Sequence, residues 1–453
     1  MIDLSNISRV HFVGIGGIGT SAIARMMLGR GIRVSGSDRA VSVITENLAR
    51  VGAVISIGHT PDAIPELCDL VVHTVAIPAD NPELIRARQC GIPLMTYPEM
   101  LELVSAEKYT IAVAGTHGKT TTTAMLGSIL LEAGADPTIL VGGLMLDPRQ
   151  YTSDTQILGF EQQGVNFILG RSRYFVVEAD EYRKSFLHLV PRLVVITNID
   201  VDHLDFYQDL EDIQMTFAQL VHRVPHDGFV VCDPYDDHVV PVLRSIRARV
   251  VDYRRQLIPT LSVPGSHNRA NAMAAAAAAQ VLGVPAAIIT RALQHFPGTW
   301  RRFQYKGKTP NGALVYDDYA HNPQKVAAAI AGARELYPKR RIVTVFQPHL
   351  FSRTKHFLRE FAEALTFADE VVLLPIYAAR EMYDPNISSE TLVATINNLV
   401  ATHHVPLQRR AVTCNSFDET KKYLDDQLSS NDVVIIMGAG NSTELAGTLV
   451  CTQ

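Results

Sequence analysis

Short apolar, β-branched runs alternate along the chain with longer stretches of helical period. RVHFVGIG, RVSGSD, LVVHTVA, YTIAVAGT, YFVVEAD, RLVVITNID, GFVVCD, ALVYDD, RRIVTVFQP, DEVVLLPIY and DVVIIMGAG each read as a strand, and the segments between them read as helices. Near-continuous apolar strands spaced by helices are what a parallel sheet covered on both faces requires, so the pattern predicts an α/β protein. The alternation resets twice. YTIAVAGTHGKT opens a new strand, turn and helix after a break near Leu101 to Lys108, and PGTWRRFQYKGKTPNGA is polar, glycine-bearing and non-periodic, as a linker would be. The expected domains are therefore 1–106, 107–297 and 298–453.

Composition narrows the class. Of 453 residues, 47% are hydrophobic and 19% charged, with a formal net charge of -5, so the chain fills its cores and is neither disordered nor collagen-like. Mild acidity offers no general attraction for a polyanion, and no nucleic-acid partner is expected. Cys68, Cys90, Cys232, Cys414 and Cys451 are scattered without a Cys-x-x-Cys pair, which fits a reducing compartment. The N-terminus lacks the order of a signal peptide, and the apolar tract from Ala272 to Ile289 is broken by Gln280, Gly283 and Pro285. A soluble, cytoplasmic protein without stable membrane insertion is expected, as a monomer or homodimer.

The chemistry-bearing motifs sit where strands turn into helices. Gly14-Ile15-Gly16-Gly17-Ile18-Gly19 follows RVHFV, with Asp38 after the next strand. Such a turn brings backbone close to a diphosphate, and an acidic residue about 20 positions on suits ribose hydroxyls. Read alone, it favours a dinucleotide and an NAD-dependent oxidoreductase, or else a structural glycine turn. Gly115-Thr116-His117-Gly118-Lys119-Thr120 also lies between strand and helix, with Val113 where the strict phosphate-loop pattern has its first glycine. Its N–H groups would cradle phosphates, Lys119 would reach the β/γ-phosphates of ATP and Thr120 would ligate Mg²⁺. Glu178-Ala179-Asp180-Glu181 and Asp200, Asp202 and His203 end two further strands. Glu178 and His203 either ligate a second Mg²⁺ or, for His203, simply hydrogen-bond a strand end.

The ordered set VHFVGIGGIG, VSGSD, AVAGTHGKTTTT, VVEADE, NIDVDHLD, PGSHNRANAMAA, RRFQ, DDYAHNP and FQPH-x-x-SRT closely resembles the Mur ligases over nearly the whole chain. The resemblance implies Rossmann-like first and third domains around a central P-loop ATPase-like domain with a parallel or mixed sheet. It further implies ATP and Mg²⁺ as cofactors, with UDP-N-acetylmuramate and L-alanine as substrates. A recycling ligase that adds a tripeptide to the same sugar is the alternative. By the same resemblance, Gly16, Gly17, Ile18, Gly19, Asp38 and His59 serve the UDP-sugar. Gly115, Thr116, Gly118, Lys119, Thr120, Thr121, His267, Asn268, Asn271, Arg302 and Asp318 serve ATP. Thr120, Glu178 and His203 hold metal, and Tyr319, His321, His349 and Arg353 meet the acyl group and the amino acid. Lys119, His203, Arg302, His321 and Arg353 are the expected catalytic set.

Several positions depart from the family pattern. No lysine lies between Leu204 and Val221, where several Mur ligases carry a carbamylated one, and the alanine-adding branch shares that absence. Leu350 stands where an arginine is expected to meet a carboxylate, and an alkyl chain makes no bidentate contact. Arg183 or Lys184 is the candidate for a displaced positive charge. An insertion is expected around Tyr151 to Phe167, and a loss of strands between Val251 and Leu261.

Overall fold

The computed structural model describes residues 2–146, 165–203, 206–244, 246–379, 381–403 and 411–450. Three sheets carry the chain. The first contains β1 (Arg9–Val13), β2 (Arg33–Asp38), β3 (Val54–Ile57), β4 (Leu70–His73) and β5 (Leu94–Thr96), ordered β3-β2-β1-β4-β5 and parallel throughout. The strand order reverses beside β1, so the glycine turn that follows β1 opens at the crevice where α/β sheets bind ligands.

The second sheet contains β6 (Tyr109–Ala114), β7 (Thr138–Met145), β8 (Val165–Ile168), β9 (Tyr174–Glu178), β10 (Leu193–Ile196), β11 (Phe229–Cys232) and β12 (Arg249–Asp252). Its order is β12-β11-β10-β6-β9-β7-β8, and among these pairs only β7 with β8 is antiparallel. β6 is flanked by β9 and β10, so the ends of those two strands land on either side of the phosphate-type loop. The expected insertion lies outside the described residues, except that its last part enters β8.

The third sheet holds β13 (Gln304–Lys308), β14 (Leu314–Asp318), β15 (Arg341–Phe346), β16 (Glu370–Leu373), β17 (Val412–Thr413) and β18 (Asp432–Met437), ordered β13-β14-β18-β15-β16-β17. Here the linker expectation is corrected. Gln304–Lys308 is an edge strand, antiparallel to β14. Its polar sequence is what an edge with one wet side carries.

The described residues form two compact units. One draws on Met1–Thr152, Gly164–Thr260 and Ala270–Phe296, and the other on Leu261–Arg269 and Pro297–Gln453. The first two sheets share a unit because the helix Tyr97–Ala106 contributes Met100, Leu101 and Val104 to a buried cluster that also holds Phe186 and Leu189. That helix starts on a capping box: Thr96 Oγ1 accepts from Glu99 N–H, and the Glu99 carboxylate accepts from Thr96 N–H. Among the described residues, no helix is long and apolar enough to cross a membrane.

Candidate active site

In the first sheet, the turn after β1 is pinned from below. Ser37 carbonyl accepts from Gly14 N–H at 2.9 Å and Ile15 N–H at 3.0 Å, while Asp38 Oδ2 accepts from Gly16 N–H at 2.8 Å. Asp38 therefore braces the turn itself. Gly17 begins the helix Ile18–Gly29 without a side-chain cap, leaving first-turn N–H groups for an anion. Gly19 leaves room for Tyr97, since a Cβ there would lie 2.5 Å from Tyr97 Cζ and would push the ring aside. His59 stands at the end of β3, with Nδ1 2.7 Å from Glu83 Oε1.

In the second sheet, the loop after β6 crosses to β10. Asn198 Oδ1 accepts from His117 N–H at 2.9 Å, and its Nδ2 donates to His117 carbonyl at 2.9 Å. Thr197 Oγ1 donates to the same carbonyl at 2.6 Å, and Thr116 Oγ1 accepts from Asp200 N–H at 2.8 Å. Gly118 adopts φ 84° to begin the helix Lys119–Glu132, which carries Thr120 and Thr121 and has no side-chain cap. A Cβ on Gly118 would meet Asn271 Oδ1 at 2.2 Å, and one on Gly115 would meet Thr197 Oγ1 at 2.0 Å.

Lys119 Nζ donates to Gly115 carbonyl at 2.7 Å, Thr116 carbonyl at 3.3 Å and Glu181 Oε1 at 2.9 Å. Thr120 Oγ1 lies 2.9 and 3.0 Å from the two Glu178 oxygens, and Gly142 N–H donates to Glu178 Oε2 at 2.7 Å. Burial raises the carboxyl pKa of both Glu178 and Glu181 above the ordinary range. His203, at φ 53°, brings Nε2 to 3.7 Å from Glu181 Oε1. Among the described residues, no three His, Cys, Asp or Glu side chains converge as a ready metal cage. A cavity of about 360 Å³ joins the two sheets, lined by Ile18, Gly19 and Tyr97 from the first and Gly142, Glu178 and Asp180 from the second.

The second unit gathers its own set of residues. Arg301 is buried, and its guanidinium meets Asp317 at 3.2 Å, Gly440 carbonyl at 3.0 Å and Ser442 Oγ at 3.1 Å. Its exposed neighbour Arg302 lies 5.8 Å above the Tyr319 ring. The RR pair is thus divided between one buried and one exposed guanidinium. Asp318, buried at the end of β14, accepts from Phe303 N–H at 2.7 Å and Ala320 N–H at 2.7 Å, and burial raises its carboxyl pKa. His321 is 5.3 Å from Tyr319 and 6.4 Å from His349, ring to ring. Burial pushes its imidazole down to about 4, so it is neutral near pH 7.

His349 Nδ1 lies 3.2 Å from Arg353 Nη1, and its ring stacks on Tyr377 at 5.7 Å. Between them Leu350 takes φ 72° and ψ 132°, a conformation that strains any residue with a Cβ. His267 follows the turn at Gly265, and burial, aided by Arg302, lowers its pKa. Asn268 Nδ2 donates to Pro264 carbonyl at 2.7 Å. Lys184 pairs with Asp212 at 3.6 Å, and Arg183 lies 5.5 Å from the Tyr182 ring.

Sequence reasoning assigned no role to Glu181, Asn198, Thr197 or Glu83. EADE flagged Glu181 only as part of a cluster, and the other three carry no local signal. A larger cavity of about 500 Å³ lies at the opposite end of the third sheet, where Arg334 and Arg341 are held in ion pairs with Asp369 and Asp432.

Two glycine turns that open helices without side-chain caps, one of them carrying the Lys-Thr pair, mark a multidomain α/β enzyme with two helix starts suited to anionic groups. The chain belongs to the Mur ligase family. Residues 9–109 match the Mur ligase catalytic domain, 113–256 the Mur ligase middle domain and 301–440 the glutamate ligase domain of Mur ligases. UDP-N-acetylmuramate–L-alanine ligase from Clostridium perfringens is 38% identical over 96% of this chain and 95% of its own length. Its counterpart from Clostridium novyi is 39% identical over 96% of each chain. The crystal structure of UDP-N-acetylmuramate-alanine ligase from Thermotoga maritima superposes with a TM-score of 0.73 at 29% identity, covering 97% of this chain and 98% of that one. A murein peptide ligase from Psychrobacter arcticus reaches 0.61 at 25% identity, covering 98% and 100%.

Proposed function

We propose that the protein is an ATP-dependent ligase that joins L-alanine to the carboxylate of UDP-N-acetylmuramate, in the cytoplasmic synthesis of peptidoglycan precursor. The cavity that joins Ile18 and Gly19 to Glu178 carries this reading, because it runs from a diphosphate-type turn to the carboxylate that holds the Thr120 hydroxyl of the phosphate-type loop. A carboxylate is a poor acyl donor, since its oxygen leaves badly. Its oxygen attacks the γ-phosphorus of ATP, ADP departs, and an acyl phosphate results. The free amine of alanine then attacks the acyl carbon, and the tetrahedral intermediate expels inorganic phosphate. In both halves the protein mainly positions groups and neutralises charge.

Lys119 and the first turn of its helix hold the β/γ-phosphates, and Arg302 adds an exposed positive charge from the third domain. Glu178 and the Thr120 hydroxyl fit Mg²⁺, being oxygen donors held together in a half-buried pocket, and His203, beside Glu181, is the third assigned ligand. When bound, Mg²⁺ supplies charge neutralisation of the transferring phosphoryl group. Asp318, His267, Asn268 and Asn271 are assigned to the nucleoside of ATP. Tyr319, His321, His349 and Arg353 are assigned to the amino acid, and the domain boundaries to positions near 106 and 297. The Thermotoga neighbour has both higher identity and a higher TM-score than the murein peptide ligase, which favours alanine over an intact tripeptide.

Phosphate release from purified protein supplied with UDP-N-acetylmuramate, ATP and either L-alanine or tripeptide tests the reading. Turnover with alanine is the expected result. Turnover with tripeptide alone, or thermal stabilisation by NAD but not by UDP-sugar, overturns it.

A further inference from the structure

Beneath the first glycine turn lies a polar network in which His59 alone carries a substrate assignment. Glu83, at the start of the helix Pro82–Gln89, is completely buried, as is His11 on β1. His11 Nε2 is 2.7 Å from Glu83 Oε2, and its Nδ1 is 2.9 Å from Ser35 Oγ. On the other carboxylate oxygen, Ser37 Oγ donates at 2.8 Å and His59 Nδ1 approaches to 2.7 Å. Asn81 caps the helix by accepting from Glu83 N–H at 2.9 Å, which holds the carboxylate in place.

Burial pushes the Glu83 carboxyl up, but the hydrogen bonds from His11, Ser37 and His59 outweigh it and leave the group below the usual carboxylate range. Glu83 is thus an ionised acceptor at the hub of the network. Two consequences reach the turn. The hydroxyl of Ser37 is held by Glu83 while its carbonyl holds Gly14 and Ile15. The imidazole of His59 spends Nδ1 on the carboxylate, which leaves Nε2, on a side chain 17% exposed, as its free edge.

We propose that Glu83 is the positioning residue of the UDP-sugar site, clamping Ser37 under the glycine turn and orienting His59 so that its Nε2 edge meets the diphosphate. This inference rests on the reading of the first domain as the UDP-sugar site. His11 backs the clamp by satisfying the second carboxylate oxygen, as a buried charge requires.

Steady-state kinetics of the full-length protein test it, together with ¹⁵N spectra of the histidine rings. Glu83→Gln should raise KM for UDP-N-acetylmuramate by about 10- to 100-fold, the loss typical of a charge-assisted hydrogen bond. KM for ATP and kcat at saturation should stay within about twofold, because the network touches neither ATP nor the reacting atoms. The wild-type His59 ring should show its proton on Nδ1, and Glu83→Gln should remove that preference. If Glu83→Gln does not fold, Ser37→Ala and His59→Ala carry the test, each expected to raise the same KM alone. An unchanged KM for UDP-sugar in folded Glu83→Gln, or in both other variants, overturns the proposal, as does an equal rise in KM for ATP. Wild-type protein that binds no UDP-sugar overturns the site reading itself, whereas equal binding by wild type and Glu83→Gln overturns this proposal alone.

Discussion

Lys119→Ala should cost stability as well as turnover, through a group the substitution does not touch. Glu181 is only 2% exposed, its Oε2 has no hydrogen-bond partner among the described residues, and its Oε1 rests on Lys119 Nζ at 2.9 Å. Without the lysine, the buried carboxylate is left with the His203 ring, Nε2 3.7 Å away, and with the opposing charge of Asp180. Removing one partner of such a pair typically costs about 3–5 kcal/mol. Protonation sets a ceiling on the penalty. Holding a glutamate of ordinary pKa ~4.3 neutral at pH 7 takes about 2.7 pH units at ~1.36 kcal/mol each, or roughly 3.7 kcal/mol. The two routes agree on a loss of about 3–4 kcal/mol at neutral pH.

The sign of the pH dependence follows from burial, which raises the folded-state pKa of Glu181 above its unfolded value. The penalty is therefore absent below the unfolded pKa and grows as pH rises towards the folded one, so at about pH 5.5 it should shrink to roughly 1.6 kcal/mol. Urea unfolding of the nucleotide-free protein at both pH values measures it. Lys119→Ala/Glu181→Gln should recover most of the stability and none of the phosphate release. A neutral-pH loss under about 1 kcal/mol, a loss that does not shrink in acid, or a double variant no more stable than the single one refutes the reasoning. Retained turnover in folded Lys119→Ala refutes the loop's assignment.

Other expectations follow from single contacts. Gly118→Ala combines φ 84° with a Cβ 2.2 Å from Asn271 Oδ1, so ATP binding by calorimetry should fall below detection while UDP-sugar binding persists. His321, with its pKa near 4, is neutral across the working range. His321→Asn should therefore lower kcat/KM uniformly from about pH 5.5 to 8.5 without moving the acid limb. Leu350→Gly relieves a strained φ of 72°, and strain of about 1–3 kcal/mol less the ~0.5–1 kcal/mol entropic cost of glycine leaves a net gain of roughly 1 kcal/mol in the unfolding of the second unit. A lower melting temperature would contradict that balance.

Central strands were legible because each is buried on both faces and so must be apolar along its length: VHFV, TIAVA, LVVI and DVVIIM became β1, β6, β10 and β18. The strands that went unread, such as β3, β5, β12, β13 and β17, are short or lie at or beside sheet edges. There one face is wet, and the alternation is too brief to stand out from a loop. β13 shows the limit plainly. Its QYKGK is indistinguishable from linker until β14 supplies the partner.

The sequence by itself determined the α/β class and both glycine turns, because a strand, a glycine turn and the following helix are encoded within a few consecutive residues. It placed Lys119 and Thr120 where a glycine turn runs into a helix, and Glu178 and His203 after strand ends. Which group each one touches was decided only by tertiary structure. The Lys119–Glu181 pair spans 62 positions, Glu83 reaches His11 across 72, and Gly118 is closed in by Asn271 from a distant helix. Such pairs have no local signature, since a hydrogen bond depends on separation in space and the chain sets that separation only when the sheets assemble. The glycine turns show both levels at once. Their presence was written in the sequence, but the residues that brace them, Asp38 and Ser37 under one and Asn198 and Thr197 beside the other, came from neighbouring strands.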